Sequence, residues 1–389
     1  MEFIANLKNL LFIGITRLKG AQKSGLGIGR KRRMKGNLLQ LLAESRAIEE
    51  IQLAKLKEQL YGKKIRLLFT NYAMVSGGLE KTIYYILKYM DRDIFEPEVA
   101  TYYGGKWETV IKQLCPMHKT SDIEGLVNDE NFKVVHIFTG QDLYKLSDRA
   151  KLIETVGGIG AFFVADRDKR PLNKVIFVSE FIKNFYVNFV LIEDKQIEVI
   201  YNPVEFKEVN VERDDKLIGW IGRISPEKNW ELFLQVAELL PDYKFVIIGE
   251  AWSPELTLQF TKRLAKVKAD IEWIRNIPVE DISNEIAKMG LLCFTSYSEG
   301  MPMTMLEAMA VKTPVISTPV GGIPEIIKHR KTGFITPYFE AEDYAKDIKE
   351  ALGSPDITEA AYANVLLKCN VRDYIRKMEL IYLKAFLYG

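Results

Sequence analysis

The stretch KIRLLFTNYAMVSGGLEKTIYYILKYM, residues 64–90, passes from a short apolar run through a glycine-bearing loop into a segment with helical spacing. KIRLLFT is nearly continuous in apolar residues, as a strand buried on both faces must be, whereas a strand with one wet face alternates. TIYYILKYM continues as a helix. Repetition of strand, loop and helix builds a parallel sheet covered on both sides, because parallel neighbours need a crossover between them.

The pattern repeats along the chain. Further strands are expected at PEVATYY, FKVVHIFT, KLIETV, NKVIFVS and IEVIYNPV, with helices between most of them, and this series ends near Pro203. A second series opens at KLIGWIG (216–222) and runs through YKFVIIGE, ADIEWI, LLCFTSY, TPVISTP and TGFITP. Segments of helical period, such as NWELFLQVAELL and MTMLEAMAV, lie between. The expected class is α/β: two Rossmann-like, doubly wound domains facing a central cleft, with an N-terminal helical extension. The expected boundaries are 1–62 for a basic amphipathic helical extension, 63–204 and 205–367 for the two Rossmann-like domains, and 368–389 for a C-terminal helix, YIRKMELIYLKAFLYG, crossing back to the first. Ligands in such sheets collect beyond the carboxyl ends of the strands, so the loops there face the cleft.

Composition narrows the class. The chain has 389 residues, 48% of them hydrophobic and 27% charged, which suits a globular protein of two average domains. Cys115, Cys293 and Cys369 have no CxxC spacing, so a disulfide framework or structural zinc is not expected and a reducing, cytoplasmic setting is. Positions 1–64 hold fourteen Lys/Arg against five Asp/Glu, and the remainder is net acidic. The basic excess therefore belongs to the N-terminus. There MEFIANLKNLLFIGITRLKG puts Phe3, Leu7, Leu10, Leu11 and Leu18 on one helical face, and GRKRRMKG follows. No apolar run reaches eighteen residues, and the basic residues follow the apolar stretch instead of preceding it, unlike a secretory signal. An amphipathic helix plus a polybasic patch suits the inner face of an anionic membrane through residues 1–36; packing on a protein groove is the alternative. No nucleic acid partner is expected, since GRKRRMKG lacks aromatic neighbours. LLQLLAESRAIEEIQLAKLKEQLYG, 38–62, reads as a long helix closed by a glycine.

Three loops carry chemistry. SGGLEK (76–81) follows the first strand and opens a helix, so Gly77 and Gly78 allow close backbone approach and the helix start offers amides to an anion. In GRISPEKNW (222–230), Arg223 and Lys228 flank a proline turn and can neutralise a diphosphate, or else stand as two solvated cations near Glu227. SEGMPMTMLEAMA (298–310) places Glu299 before a Gly300–Pro302 turn and Glu307 inside the helix that begins at Met303, Thr304 and Met305. A carboxylate accepts well from vicinal hydroxyls, and two of them flanking a phosphate-binding helix start match ribose, diphosphate and hexose in sequence.

Taken in order, GRISPEKNW, FVIIGE, SYSEGMPMTMLEAMAVKTPVISTPVGGIPEII and TGFITP resemble the donor-binding half of the retaining glycosyltransferases of family 4. SGGLEK, NKVIFVSEFIKNFY and IEVIYNPVE resemble parts of the acceptor half. The resemblance covers about 63–367. It implies a GT-B fold, no metal and no cofactor, a nucleoside diphosphate sugar as substrate, and transfer with retention to a glycan or lipid-linked acceptor of the cell envelope. Residue by residue, it implies Arg223 and Lys228 on the diphosphate, Glu299 on the sugar ring and Glu307 on the ribose. The backbone of Met303, Thr304 and Met305 beyond Gly300 would meet the phosphates, with Gly77 and Gly78 closing over them. Asn276 and Ile277 in WIRNIP would lie at the base. Gly321–Gly322 are expected to serve a turn with amides toward the donor. Glu325 is expected either at the sugar or on its helix dipole.

One departure stands out. Where the resemblance leads one to expect a histidine after LIETV, the chain has Gly157 and Gly158, and none of His118, His136 and His329 matches; Asp166 or Arg167 are substitutes in the neighbourhood. A non-catalytic sugar-nucleotide-binding or scaffold protein is accordingly the alternative to a transferase. A GT-B epimerase or phosphorylase is a further one.

Overall fold

The computed structural model describes residues 28–75, 77–138, 150–159, 172–188, 192–251, 253–275, 277–278, 282–354 and 356–389, with side chains from Gln40 onward except those of 129 and 130. Among these residues the strands form two parallel sheets. The first contains β1 (Ile65–Ala73), β2 (Phe95–Tyr103), β3 (Met117–Lys119), β4 (Val134–Ile137), β5 (Lys151–Val156), β6 (Leu172–Phe177) and β7 (Ile197–Val199), in the order β3-β2-β1-β4-β5-β6-β7. The second contains β8 (Asp214–Ile221), β9 (Lys244–Ile248), β10 (Asp270–Ile274), β11 (Met289–Phe294), β12 (Val315–Ser317) and β13 (Phe334–Ile335), in the order β10-β9-β8-β11-β12-β13.

Both orders reverse at their first strand. β1 lies between β2 and β4, with Leu67 opposite Pro97 and Val134, and β8 lies between β9 and β11. The crevice of a doubly wound sheet opens at that reversal, so the loops after β1, β8 and β11 are the ones that face a ligand. The apolar runs of both series are buried on both faces: Leu67, Leu68 and Phe69 in β1, and Leu291, Leu292 and Cys293 in β11, are at most 1% exposed.

The helices that matter for the site are α1 (Ile28–Glu58), α2 (Gly78–Tyr89), α3 (Glu180–Val187), α4 (Trp230–Glu238), α5 (Met303–Ala310), α6 (Ile323–Ile326) and α7 (Val371–Tyr388). α1 begins ten residues before the expected Leu38, so GRKRRMKG has helical backbone. The helix ends before Tyr61 (φ 49°) and Gly62 (φ 77°), a left-handed exit that glycine makes without strain. The expected amphipathic helix over 1–20 lies outside the described residues.

α1 is integrated with the first half. Leu56 and the following Leu60 are buried in its core, Lys57 Nζ reaches Asp91 at 2.6 Å, and Arg376 Nε of α7 reaches Glu49 at 3.1 Å. α7 returns from the second half and inserts Met378, Tyr382 and Leu383, all fully buried, with the Tyr382 ring edge-on to Phe69 and Phe95. The two passages of chain between the halves are stitched together: Val204 N donates to Cys369 O at 2.7 Å, and Val371 N to Val204 O at 3.2 Å. No helix among the described residues is long and apolar enough to cross a membrane.

Candidate active site

The loops at the carboxyl ends of the two sheets touch through glycines. A Cβ on Gly300 would lie 1.9 Å from the Gly157 carbonyl oxygen, so only glycine permits this approach. A Cβ on Gly78 would lie 2.9 Å from Met303 Cγ, and one on Gly322 would lie 2.7 Å from Ser179 Cβ. Asn202 Nδ2 adds a buried bond to Met301 O at 2.8 Å. The turn at Gly321 has φ +58°, and the Gly322 amide donates to Gly300 O at 2.7 Å. The expected donor-facing amide of Gly322 is thus spent on holding the Gly300 loop.

The loop after β8 is shaped by Pro226, which starts a single 3-10 turn, and by Asn229, whose left-handed φ of 48° lets α4 begin with buried Trp230. Thr295, fully buried after β11, donates its hydroxyl toward Lys228 O and Asn229 O, while Tyr297 N donates to Glu227 O at 2.8 Å. These bonds fasten the Arg223–Lys228 loop to the Glu299 loop. Lys228 Nζ consequently meets Glu299 Oε1 at 2.7 Å, and Ser296 Oγ donates to the same oxygen at 2.7 Å. Arg223 is half-exposed and reaches Glu227 Oε1 at 3.3 Å. Pro302 precedes α5 without a side-chain cap, so the first amides of the helix, on Met303, Thr304 and Met305, are of the kind that receive an anion.

Glu307 sits on α5 with 2% of its side chain exposed, and Lys81 Nζ of α2 contacts its Oε1 from the opposite half. A carboxylate so buried requires a compensating charge, and α2 supplies it. Next to Lys81, Glu80 is 7% exposed and accepts from Asn71 Nδ2 at 3.2 Å. Burial pushes the Glu80 carboxyl up to about 7, against the opposing pull of its own backbone, Asn71 and the Arg223 charge. Glu80 and Lys81 were not singled out from sequence, where SGGLEK drew attention to its glycines. The available signal was spacing: Lys81 lies four residues before Tyr85, on a face of α2 that is buried.

Glu325 stands in the first turn of α6, at the expected helix start, and its side chain reaches further. It accepts from the Glu180 and Phe181 amides at 3.0 and 2.8 Å, so a carboxylate on α6 caps α3 across the interface. Of the expected base contacts, Asn276 lies outside the described residues and Ile277 packs on the core. Beside them Trp273 Nε1 donates to Gly249 O at 2.9 Å, and the Arg275 guanidinium lies 4.9 Å from the Trp273 ring centre. Asp166 and Arg167 lie outside the described residues. A Cβ on Gly157 would come 2.8 Å from Leu79 Cδ2, so position 157 holds no side chain without Leu79 moving.

The histidines are occupied elsewhere. His136 is 1% exposed, bonded through Nδ1 to Tyr382 Oη and through Nε2 to Thr155 Oγ1, both at 2.8 Å, and burial draws its pKa down to about 3. His118 pairs with Glu98 at 2.6 Å, and His329 Nδ1 accepts from Ile335 N. Among the described residues no three His, Cys, Asp or Glu side chains gather as a metal site.

Residues 202–365 match the model of the family described as Glycosyl transferases group 1. A D-inositol 3-phosphate glycosyltransferase from Mycobacteroides abscessus is 28% identical over 149 residues, covering 37% of this chain and 34% of that protein. The putative glycosyltransferase YtcC of Bacillus subtilis is 27% identical over 216 residues, covering 48% and 53%. The chain thus spans between a third and about half of the length of these curated relatives. Among solved structures, Anabaena Alr3699/HepE in complex with UDP-glucose aligns with a TM-score of 0.67 at 17% identity, over 82% of this chain and 100% of that one. WaaG, a glycosyltransferase involved in lipopolysaccharide biosynthesis, aligns with a TM-score of 0.59 at 13% identity, over 83% and 100%. The two facing parallel sheets are the GT-B fold.

Proposed function

We propose that the chain is a retaining, metal-independent glycosyltransferase of family 4 that moves a sugar from a nucleoside diphosphate to a glycan or lipid-linked acceptor of the cell envelope. The observation that carries this reading is the fastening of the Arg223–Lys228 loop to the Glu299 loop directly beside the open start of α5. The match of 202–365 and the UDP-glucose and UDP held by the HepE structures support a nucleotide sugar as donor.

In this reading the diphosphate lies at the Met303–Met305 amides. Lys228 has three N–H donors, so it can hold Glu299 and a phosphate oxygen at once; Arg223 adds its planar fork when it leaves Glu227. Glu299, fixed by Lys228 and Ser296, accepts from sugar hydroxyls, and Glu307 accepts from the ribose. Reaction breaks the bond between the anomeric carbon and the diphosphate oxygen and forms one to the acceptor oxygen on the same face. The acceptor proton passes to the departing phosphate. Charge on that phosphate grows in the transition state, so the cations and helix amides supply the principal stabilisation.

Arg223→Ala and Lys228→Ala each lower kcat on the order of 10²-fold in a donor-turnover assay, by the usual worth of one charge-stabilising donor. Glu307→Ala weakens nucleotide binding with the fold intact. Near-normal turnover in both cation variants removes the diphosphate assignment. A thermal-shift screen of nucleoside diphosphate sugars identifies the donor, since a ligand of the native state raises its melting midpoint. A non-catalytic sugar-nucleotide-binding protein is the second reading, favoured by the filled position at Gly157; nucleotide binding without turnover across glycan and lipid-linked acceptors would select it.

The basic N-terminus fits peripheral attachment to an anionic inner membrane face. GRKRRMKG has helical backbone as the first part of α1, which continues to Glu58. Deleting residues 1–36 is expected to abolish co-sedimentation with anionic vesicles; sedimentation that persists excludes that segment as the anchor.

A further inference from the structure

We infer that Lys81, on the half opposite the donor, is a positioning residue that sets Glu307 for the ribose hydroxyls, so that ribose recognition depends on the two halves being docked. The inference rests on the proposed place of Glu307 at the ribose.

Four observations carry it. Lys81 and Glu307 are 226 positions apart, on α2 and α5, and their side chains are 10% and 2% exposed. The ammonium engages Oε1, and a carboxylate has lone pairs for about four donors, so the pair is compatible with two hydroxyls on the remaining sites. The lysine is itself held from its own helix, with Nζ 5.9 Å from the Tyr85 ring centre. Finally, Gly78 packs on Met303 at the starts of the same two helices, which fixes how closely they approach.

These contacts divide the work. The backbone amides of α5 belong to the second half alone and grip phosphate whether or not the halves are docked. The carboxylate of Glu307 needs a counter-charge that only the first half brings. Discrimination between ribose and 2′-deoxyribose therefore reads the Lys81 contact, while affinity for the diphosphate does not.

The test is calorimetric binding of UDP, GDP and ADP and of their 2′-deoxy forms to the full chain and its variants. Wild type is expected to prefer the ribo form at least tenfold, on the order of one lost charged hydrogen bond. Lys81→Met is expected to bring that preference below threefold and to change the affinity for the 2′-deoxy form less than threefold; Lys81→Arg keeps most of the preference. If Lys81→Met does not fold, Lys81→Gln, which retains an N–H donor without the charge, reads the same ratio. A preference retained in the Met or Gln variant overturns the role of Lys81. A wild type without preference, or a Glu307→Gln variant that keeps it in full, overturns the ribose assignment itself; a wild type that binds none of the three nucleotides overturns the proposed function.

Discussion

Glu80 is a buried acid in the first turn of α2, and its ionisation couples the site to pH. Its carboxyl titrates near 7 in the folded chain, against about 4.3 when unfolded. Between those values the folded state keeps a proton that the unfolded state has released, so stability falls as pH rises and the loss is complete once pH passes about 7. The full difference is about 4 kcal/mol. Glu80→Gln cannot ionise, so its gain in melting midpoint over wild type should be greater at pH 8 than at pH 5; equal gains at both pH values would remove the assignment. At this scale the sequence was legible in placement: Lys228 and Glu299, chosen by residue type and loop position, meet at 2.7 Å, and Glu307 lies within the helix expected to begin at Met303. It was opaque where a partner came from afar: Lys81 meets Glu307 and Glu325 meets the α3 amides across separations of 226 and about 145 residues. Local spacing holds no record of such pairings.

Strands were the most readable elements, because burial on both faces leaves a continuous apolar run. β3 escaped notice, being three residues long with a histidine at its centre. The start of α1 was misplaced for a related reason. Gly36 and Asn37 look like a break, yet a glycine inside a helix costs only about 1 kcal/mol, and the Lys and Arg residues before it are good helix formers. α7 adds a buried polar contact to its apolar packing on the first half. Tyr382 gives His136 Nδ1 its partner in a fully buried setting, so Tyr382→Phe leaves a ring nitrogen without one. The expected cost is about 1–3 kcal/mol, visible as a lower midpoint in denaturant titration with unchanged m-value. An unchanged midpoint would mean that His136 finds another partner.

For the whole molecule, the approach of the halves is set by backbone against backbone at Gly300 and Gly157. Gly300→Ala places a methyl 1.9 Å from a carbonyl oxygen and forces the loops apart. Overpacking of this kind costs about 1–3 kcal/mol, and thermal unfolding should begin a few degrees earlier. A variant that melts like wild type would show that this contact is not held in solution. The plan of two parallel sheets was evident from the repeated series, whereas the integration of α1 with α7 was not, since each apolar stripe fits several surfaces equally well.

The return of α7 to the first half also fixes an order of events. The second sheet is, topologically, a block of chain inserted into the first unit, and it has all its strands by Ile335. The first unit lacks the lid over Phe69, Phe95 and His136 until Tyr382 has been synthesised. On the ribosome the later-encoded block can therefore fold first, and the unit encoded earlier must wait, with an open apolar face, for a tyrosine 246 positions beyond His136.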